Sequence, residues 1–148
     1  MIEISTQDAR VFAMPSSAKP TVYVVDDDAD VLGSLRFLLE TDGFDVRTFR
    51  NGPALLNTVH ATGVDCFVID YKMPDMNGVD LATRLRDRDI SVPIILITGY
   101  PDANISARAA AAGIRDVLLK PHLEDSLVLR IRGAIQEGHP ATACRTGQ

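Results

Sequence analysis

Four groups in this chain have residue types and positions that suit joint chemistry. Asp70 closes the apolar run Phe67-Val68-Ile69 and leads into Tyr71-Lys72-Met73-Pro74-Asp75-Met76-Asn77-Gly78, where Pro74 and Asn77-Gly78 carry turn chemistry. Asp26-Asp27-Asp28 follows Thr21-Val22-Tyr23-Val24-Val25, Thr98-Gly99 follows Ile94-Ile95-Leu96-Ile97, and Lys120-Pro121 follows Val117-Leu118-Leu119. Carboxylates brought into one crevice repel, and are tolerated only beside a cation or with one group protonated. Oxygen ligands without His or Cys suit a hard divalent ion, and magnesium takes one or two carboxylates together with water and phosphate oxygens. A carboxylate beside such an ion can attack phosphorus. Phosphoryl transfer then needs alignment and neutralisation of the equatorial oxygens; the ion, the Lys120 ammonium and the Thr98 hydroxyl can each answer one of them.

Placing these groups together is the work of the elements that end in them. The four apolar runs read as strands by their β-branched content, and a further strand, Phe44–Phe49, alternates in polarity. Helical spacing appears over Asp28–Asp42 through Val31, Leu32, Leu35, Leu38 and Leu39, and over Asn51–Thr62 through Leu55, Leu56 and Val59. Three more helices are predicted: from Asn77 to about Arg88, over Asp102–Ala112, and one marked by Leu123, Leu127, Ile131 and Ile135 that stops at Gly138 and Pro140. Pro93 is expected to start the fourth strand. Strands alternating with helices predict a parallel sheet covered on both faces, with right-handed crossovers. All four chemical groups then fall at the carboxyl edge of one sheet, where such folds bind ligands.

The 148 residues allow one domain with a real core, and 46% of them are hydrophobic. A net charge of -5 argues against a general nucleic-acid or membrane-surface binder, because both need a basic face. No apolar stretch reaches the length of a membrane span, the amino end has no signal-peptide pattern, and a cytoplasmic location is expected. Cys66, inside a predicted strand, and Cys144, in a polar tail, are not expected to form a disulfide. Residues 1–20 and 138–148 read as flexible extensions around a domain at 21–137. His60, His122 and His139 lack metal-ligand spacing, with His60 and His139 expected in solvent and His122 at the rim of the site.

From Lys19 to Glu137 the chain resembles the receiver domain of bacterial response regulators, of the CheY-like and FixJ/NarL type. The resemblance rests on Asp26-Asp27, on Asp70 with Met73-Pro74-Asp75-Met76-Asn77-Gly78, on Thr98-Gly99 and on Lys120-Pro121. It implies a flavodoxin-like (βα)5 three-layer sandwich with strand order 2-1-3-4-5, an order that periodicity does not fix. It further implies Asp70 as phosphoacceptor, Thr98 and Lys120 as its catalytic partners, and magnesium held by Asp27, Asp70 and the backbone carbonyl of Lys72, with Asp26 acting through water. The implied partners are a histidine kinase or phosphotransfer protein and a downstream protein target.

The chain departs from that family in places. Val117 stands where such receivers carry a Tyr or Phe, and a valine cannot swing a ring between buried and exposed positions. His122 follows Lys120-Pro121 where Phe is usual, and Lys72 and Tyr100 are bulky where attacking water approaches. Residues 138–148 are too few for an output domain, so a single-domain regulator signalling through a protein surface is expected, with a fragment of a DNA-binding regulator as one alternative. Ala107, Ala109, Ala110 and Ala111 could let the fourth-to-fifth helix face pack against a partner or a second copy. An aspartate-nucleophile phosphatase is disfavoured, since it needs an acid where Lys72 stands. A flavodoxin-type cofactor is disfavoured by the acidic first loop. A degenerate, phosphorylation-independent interaction module is the remaining competitor.

Overall fold

The computed structural model describes residues 19–60, 63–99, 102–120 and 124–138. The expected leader up to residue 18, Tyr100, His122, His139, Leu123, Pro140 and Cys144 lie outside the described residues.

Five strands form one sheet: β1 (Thr21–Val25), β2 (Asp45–Phe49), β3 (Cys66–Asp70), β4 (Ile94–Thr98) and β5 (Asp116–Leu119). Their order is β2-β1-β3-β4-β5 and all neighbours are parallel, as the flavodoxin-like reading requires. β3 and β4 are buried at every position, because both sheet faces are covered, and this explains their unbroken apolar runs.

Among the described residues the helices are α1 (Ala29–Thr41), α2 (Gly52–Thr58), α3 (Gly78–Asp87), α4 (Ala103–Ala111) and α5 (Glu124–Gly138). Strand side chains alternate between two cores. Leu32, Leu35 and Leu39 of α1 and Leu127, Val128 and Ile131 of α5 pack on Val22, Val24, Val68, Ile95 and Ile97. On the other face α2, α3 and α4 pack on Val25, Phe67, Ile69, Ile94 and Leu96. Cys66 is a buried filler, and burial pushes its thiol up to about 12.

Side-chain caps start the first four helices. Asp28 accepts from the amides of Asp30 and Val31, Asn51 from Ala54, Asn77 from Asp80 and Asp102 from Asn104. Helix α2 ends at Thr58, short of the expected Thr62: Val59 turns to an extended ψ of 142° and keeps its side chain buried in the core. Strand β4 begins at Ile94, one residue after the expected Pro93, whose carbonyl accepts from the Phe67 amide at 2.9 Å.

Candidate functional site

The carboxyl ends of β1, β3, β4 and β5 carry the site. Asp26 immediately follows β1, its amide donating to the Phe49 carbonyl at 3.1 Å, and it is fully buried. Asp70 is the last residue of β3 and only 5% exposed, while Asp27 lies in solvent. Strand β1 pairs with both β2 and β3, so the crossover from β1 to its two neighbours opens the crevice in which these acids meet. Carboxylate oxygens of Asp26, Asp27 and Asp70 lie within 4.8 Å of one another.

Thr98 ends β4 and is 2% exposed. Its carbonyl accepts from the Lys120 amide at 2.8 Å, which anchors the lysine at the same edge. The Lys120 ammonium then bridges the acids, 3.0 Å from Asp70 Oδ1 and 3.2 Å from Asp26 Oδ2. Lys72 is exposed two residues beyond Asp70, in the loop before α3. The structure thus brings Asp26, Asp27, Asp70, Thr98 and Lys120 to one crevice. His60 is exposed and on the chain's surface, as its lack of partners in sequence suggested.

Burial dominates the electrostatics. Desolvation pushes the Asp70 carboxyl up to about 6; the Lys120 hydrogen bond opposes this and the neighbouring Asp26 charge adds to it. Asp26 is raised by the same burial, against the Asp28 amide that its Oδ1 accepts from at 2.9 Å and against Lys120. For Lys120, burial acts to lower the ammonium, but Asp70 and Asp26 outweigh it and hold it above the ordinary lysine range. The cluster offers carboxylate oxygens from three residues, a donor set that fits a hard divalent cation.

A close approach that the sequence did not reveal positions Asp70. The Gly78 amide donates to the Tyr71 carbonyl at 2.8 Å, and the Tyr71 amide donates to the Ile97 carbonyl at 2.8 Å. A Cβ on Gly78 would stand 2.7 Å from the Asp70 carbonyl oxygen and 2.5 Å from Leu96 Cδ1, so only glycine lets α3 start this close to β3.

A family model for the response regulator receiver domain matches residues 22–132, most of the chain and all of this site. The chain belongs to the response regulator receiver family. Its relatives include the transcriptional regulatory protein FixJ of Bradyrhizobium diazoefficiens, 35% identical over 84% of this chain and 61% of that protein. Another is the response regulator protein TodT of Pseudomonas putida, 33% identical over 82% of this chain and 53% of that one. The chain therefore spans about half to three-fifths of the length of these curated relatives. Among solved structures, the CheY-like receiver domain from Methanospirillum hungatei superposes with a TM-score of 0.76 at 25% identity, covering 81% of this chain and 96% of that one.

In this receiver Val117 is paired with Leu96 and lies half-buried. Together with Thr98, Asp102, Ile105, Ser106 and Leu119 it lines a cavity of about 430 Å³ between β5 and α4. One pairing is absent from the sequence reading: the Tyr71 hydroxyl accepts from Arg108 Nη1 at 3.1 Å, joining the residue after Asp70 to α4. Nothing in their separation along the chain signals the pair. Among the described residues no helix is long and apolar enough to cross a membrane.

Proposed function

We propose that this receiver accepts a phosphoryl group on Asp70 from a phosphohistidine of a histidine kinase or phosphotransfer protein, and passes the change to a downstream protein target through its surface. The observation that carries this reading is the Lys120 ammonium bridging Asp70 and Asp26 at 3.0 and 3.2 Å inside a cluster of three carboxylates. An Asp70 oxygen attacks phosphorus, the phosphorus–nitrogen bond breaks, and the imidazole leaves with the bonding electrons and takes up a proton. Asp70 must be ionised to attack, so its elevated carboxyl has to lose its proton first. Lys120, already 3.0 Å from Asp70 Oδ1, then pairs with a phosphoryl oxygen, and the buried Thr98 at the end of β4 offers its hydroxyl to another.

Asp26, Asp27, Asp70 and the backbone carbonyl of Lys72 would hold Mg2+, which neutralises phosphoryl charge when bound. The domain carrying this chemistry is assigned to residues 21–137. A phosphorylation-independent interaction module is the second reading, favoured by Val117 in the place of an aromatic. Intact mass after exposure to a small phosphodonor decides between them. A magnesium-dependent gain of one phosphoryl group, absent in Asp70→Asn, supports the phosphoacceptor; no gain under any condition supports the module.

A further inference from the structure

Helix α4 is lightly seated. Only Ile105 and Ala109 of its residues are buried, while Ala107, Arg108, Ala110 and Ala111 face solvent. Two cavities, of about 470 and 430 Å³, both reach Asp102 and Ile105 at its start, so the helix has open space beside its first turn. Against this small apolar anchor stands a polar one. The Tyr71 hydroxyl accepts from Arg108 Nη1 at 3.1 Å, in the last turn of α4.

Tyr71 itself is firmly held. Its amide donates to the Ile97 carbonyl and its carbonyl accepts from the Gly78 amide, each at 2.8 Å, and its ring packs partly buried against the core beneath α3 and α4. A side chain so fixed moves with the segment that follows Asp70. Any rearrangement of that segment is therefore delivered to the one helix of this face that has least to hold it.

We propose that the Tyr71–Arg108 hydrogen bond is a latch that holds α4 against the segment following Asp70 and is released when Asp70 is loaded; the release half rests on the phosphoacceptor reading above. By linkage, a contact made only in the unloaded state opposes loading, so cutting it makes loading easier. A bond that merely supported the fold would act the other way, weakening the site when cut.

The test uses the whole chain and the variants Tyr71→Phe, Arg108→Met and the pair combined. Amide exchange across Ala103–Ala111 is followed without ligand, and beryllofluoride, a phosphoryl mimic, is titrated in the presence of magnesium. A solvent-exposed, charge-assisted hydrogen bond predicts that each single variant exchanges those amides about twofold to fivefold faster and binds beryllofluoride tighter by a similar factor. The double variant should match the singles, because each removes the same contact. Unchanged exchange with normal beryllofluoride binding overturns the latch and leaves the phosphoacceptor reading standing. Weaker binding in the singles, or additive effects in the double variant, also overturns it. Failure of the wild-type protein to bind beryllofluoride removes the phosphoacceptor reading and the release with it, whatever the exchange of α4 shows.

Discussion

Lys120 Nζ lies 3.0 Å from Asp70 Oδ1, and the two are delivered to each other by β3 and β5, which are separated in the sheet by β4. The ammonium is thus the countercharge of the unloaded site, shared with Asp26 at 3.2 Å. Replacing Lys120 with Met leaves two buried carboxylates without it. Breaking a buried pair from one side costs about 3–5 kcal/mol; with Lys120 26% exposed and both acids able to take up protons, about 1–3 kcal/mol is expected at pH 7. Urea unfolding at pH 7 and pH 5 checks this, and the deficit should shrink at the lower pH as the acids protonate.

The proton balance of Asp70 gives a second outcome. Its folded carboxyl sits at about 6 against 3.8 for the ordinary group, so the metal-free folded state binds more protons than the unfolded one between those values. Stability should fall as pH rises through that window and level off above it. Asp70→Asn removes this penalty and should be more stable than wild type above the window by about 1–3 kcal/mol, with no advantage at pH values below it. A difference that stays constant with pH in chelator-treated protein would contradict the assignment. Magnesium should raise the melting temperature of wild type and leave the Asn variant nearly unchanged.

Gly78→Ala places a methyl group against the Asp70 carbonyl and Leu96. Overpacking of this kind costs about 1–3 kcal/mol, and here it also displaces the residue that ends β3. Denaturant unfolding and magnesium affinity should both suffer. The same substitution at Gly33, where nothing lies within 4 Å of a Cβ and the residue is in α1, should stabilise by about 0.5–1 kcal/mol.

Arg86 ties three carbonyls together, donating through Nη1 to Ile90 at 2.7 Å and Val92 at 2.8 Å and through Nη2 to Gly113 at 2.7 Å. It joins the end of α3 to the turn after α4. Arg86→Met keeps the aliphatic stem and removes the donors, and about 1–3 kcal/mol of stability should go with them. Phosphodonor reactivity of the folded fraction should persist, since the three carbonyls that Arg86 holds belong to Ile90, Val92 and Gly113 rather than to the site; loss of loading at unchanged fold would argue otherwise.

Lys72 is exposed two residues beyond Asp70, and on the proposed phosphoacceptor reading it would flank the approach of water to a phosphoryl group there. Lys72→Ala should shorten the lifetime of the loaded protein severalfold, by opening that approach. Decay of the phosphorylated mass with time checks it, and an unchanged or longer lifetime would sink the idea.

Much of this protein could be read from residue order because its governing rules are local. Apolar runs closed by Asp70, Thr98 and Lys120 mark strand ends, Asp28, Asn51, Asn77 and Asp102 mark helix starts, and a strand's end in a parallel sheet is a ligand edge by topology. The early end of α2 was not legible, because helical spacing through Val59 is satisfied equally by a buried valine in an extended turn. Strand order came from resemblance rather than from periodicity, since a pattern of burial says which face is covered and nothing about which strand lies beside which.

Distances across the sheet belong to the folded chain. The bridge from Lys120 to Asp26 and Asp70, the tight entry of α3 at Gly78 and the Tyr71–Arg108 bond each join segments remote in sequence, and none leaves a periodic trace. Residue types dictate which charges exist. How strongly they are felt depends on burial, and it is the packing of the strand ends that desolvates Asp70 and raises its carboxyl to about 6.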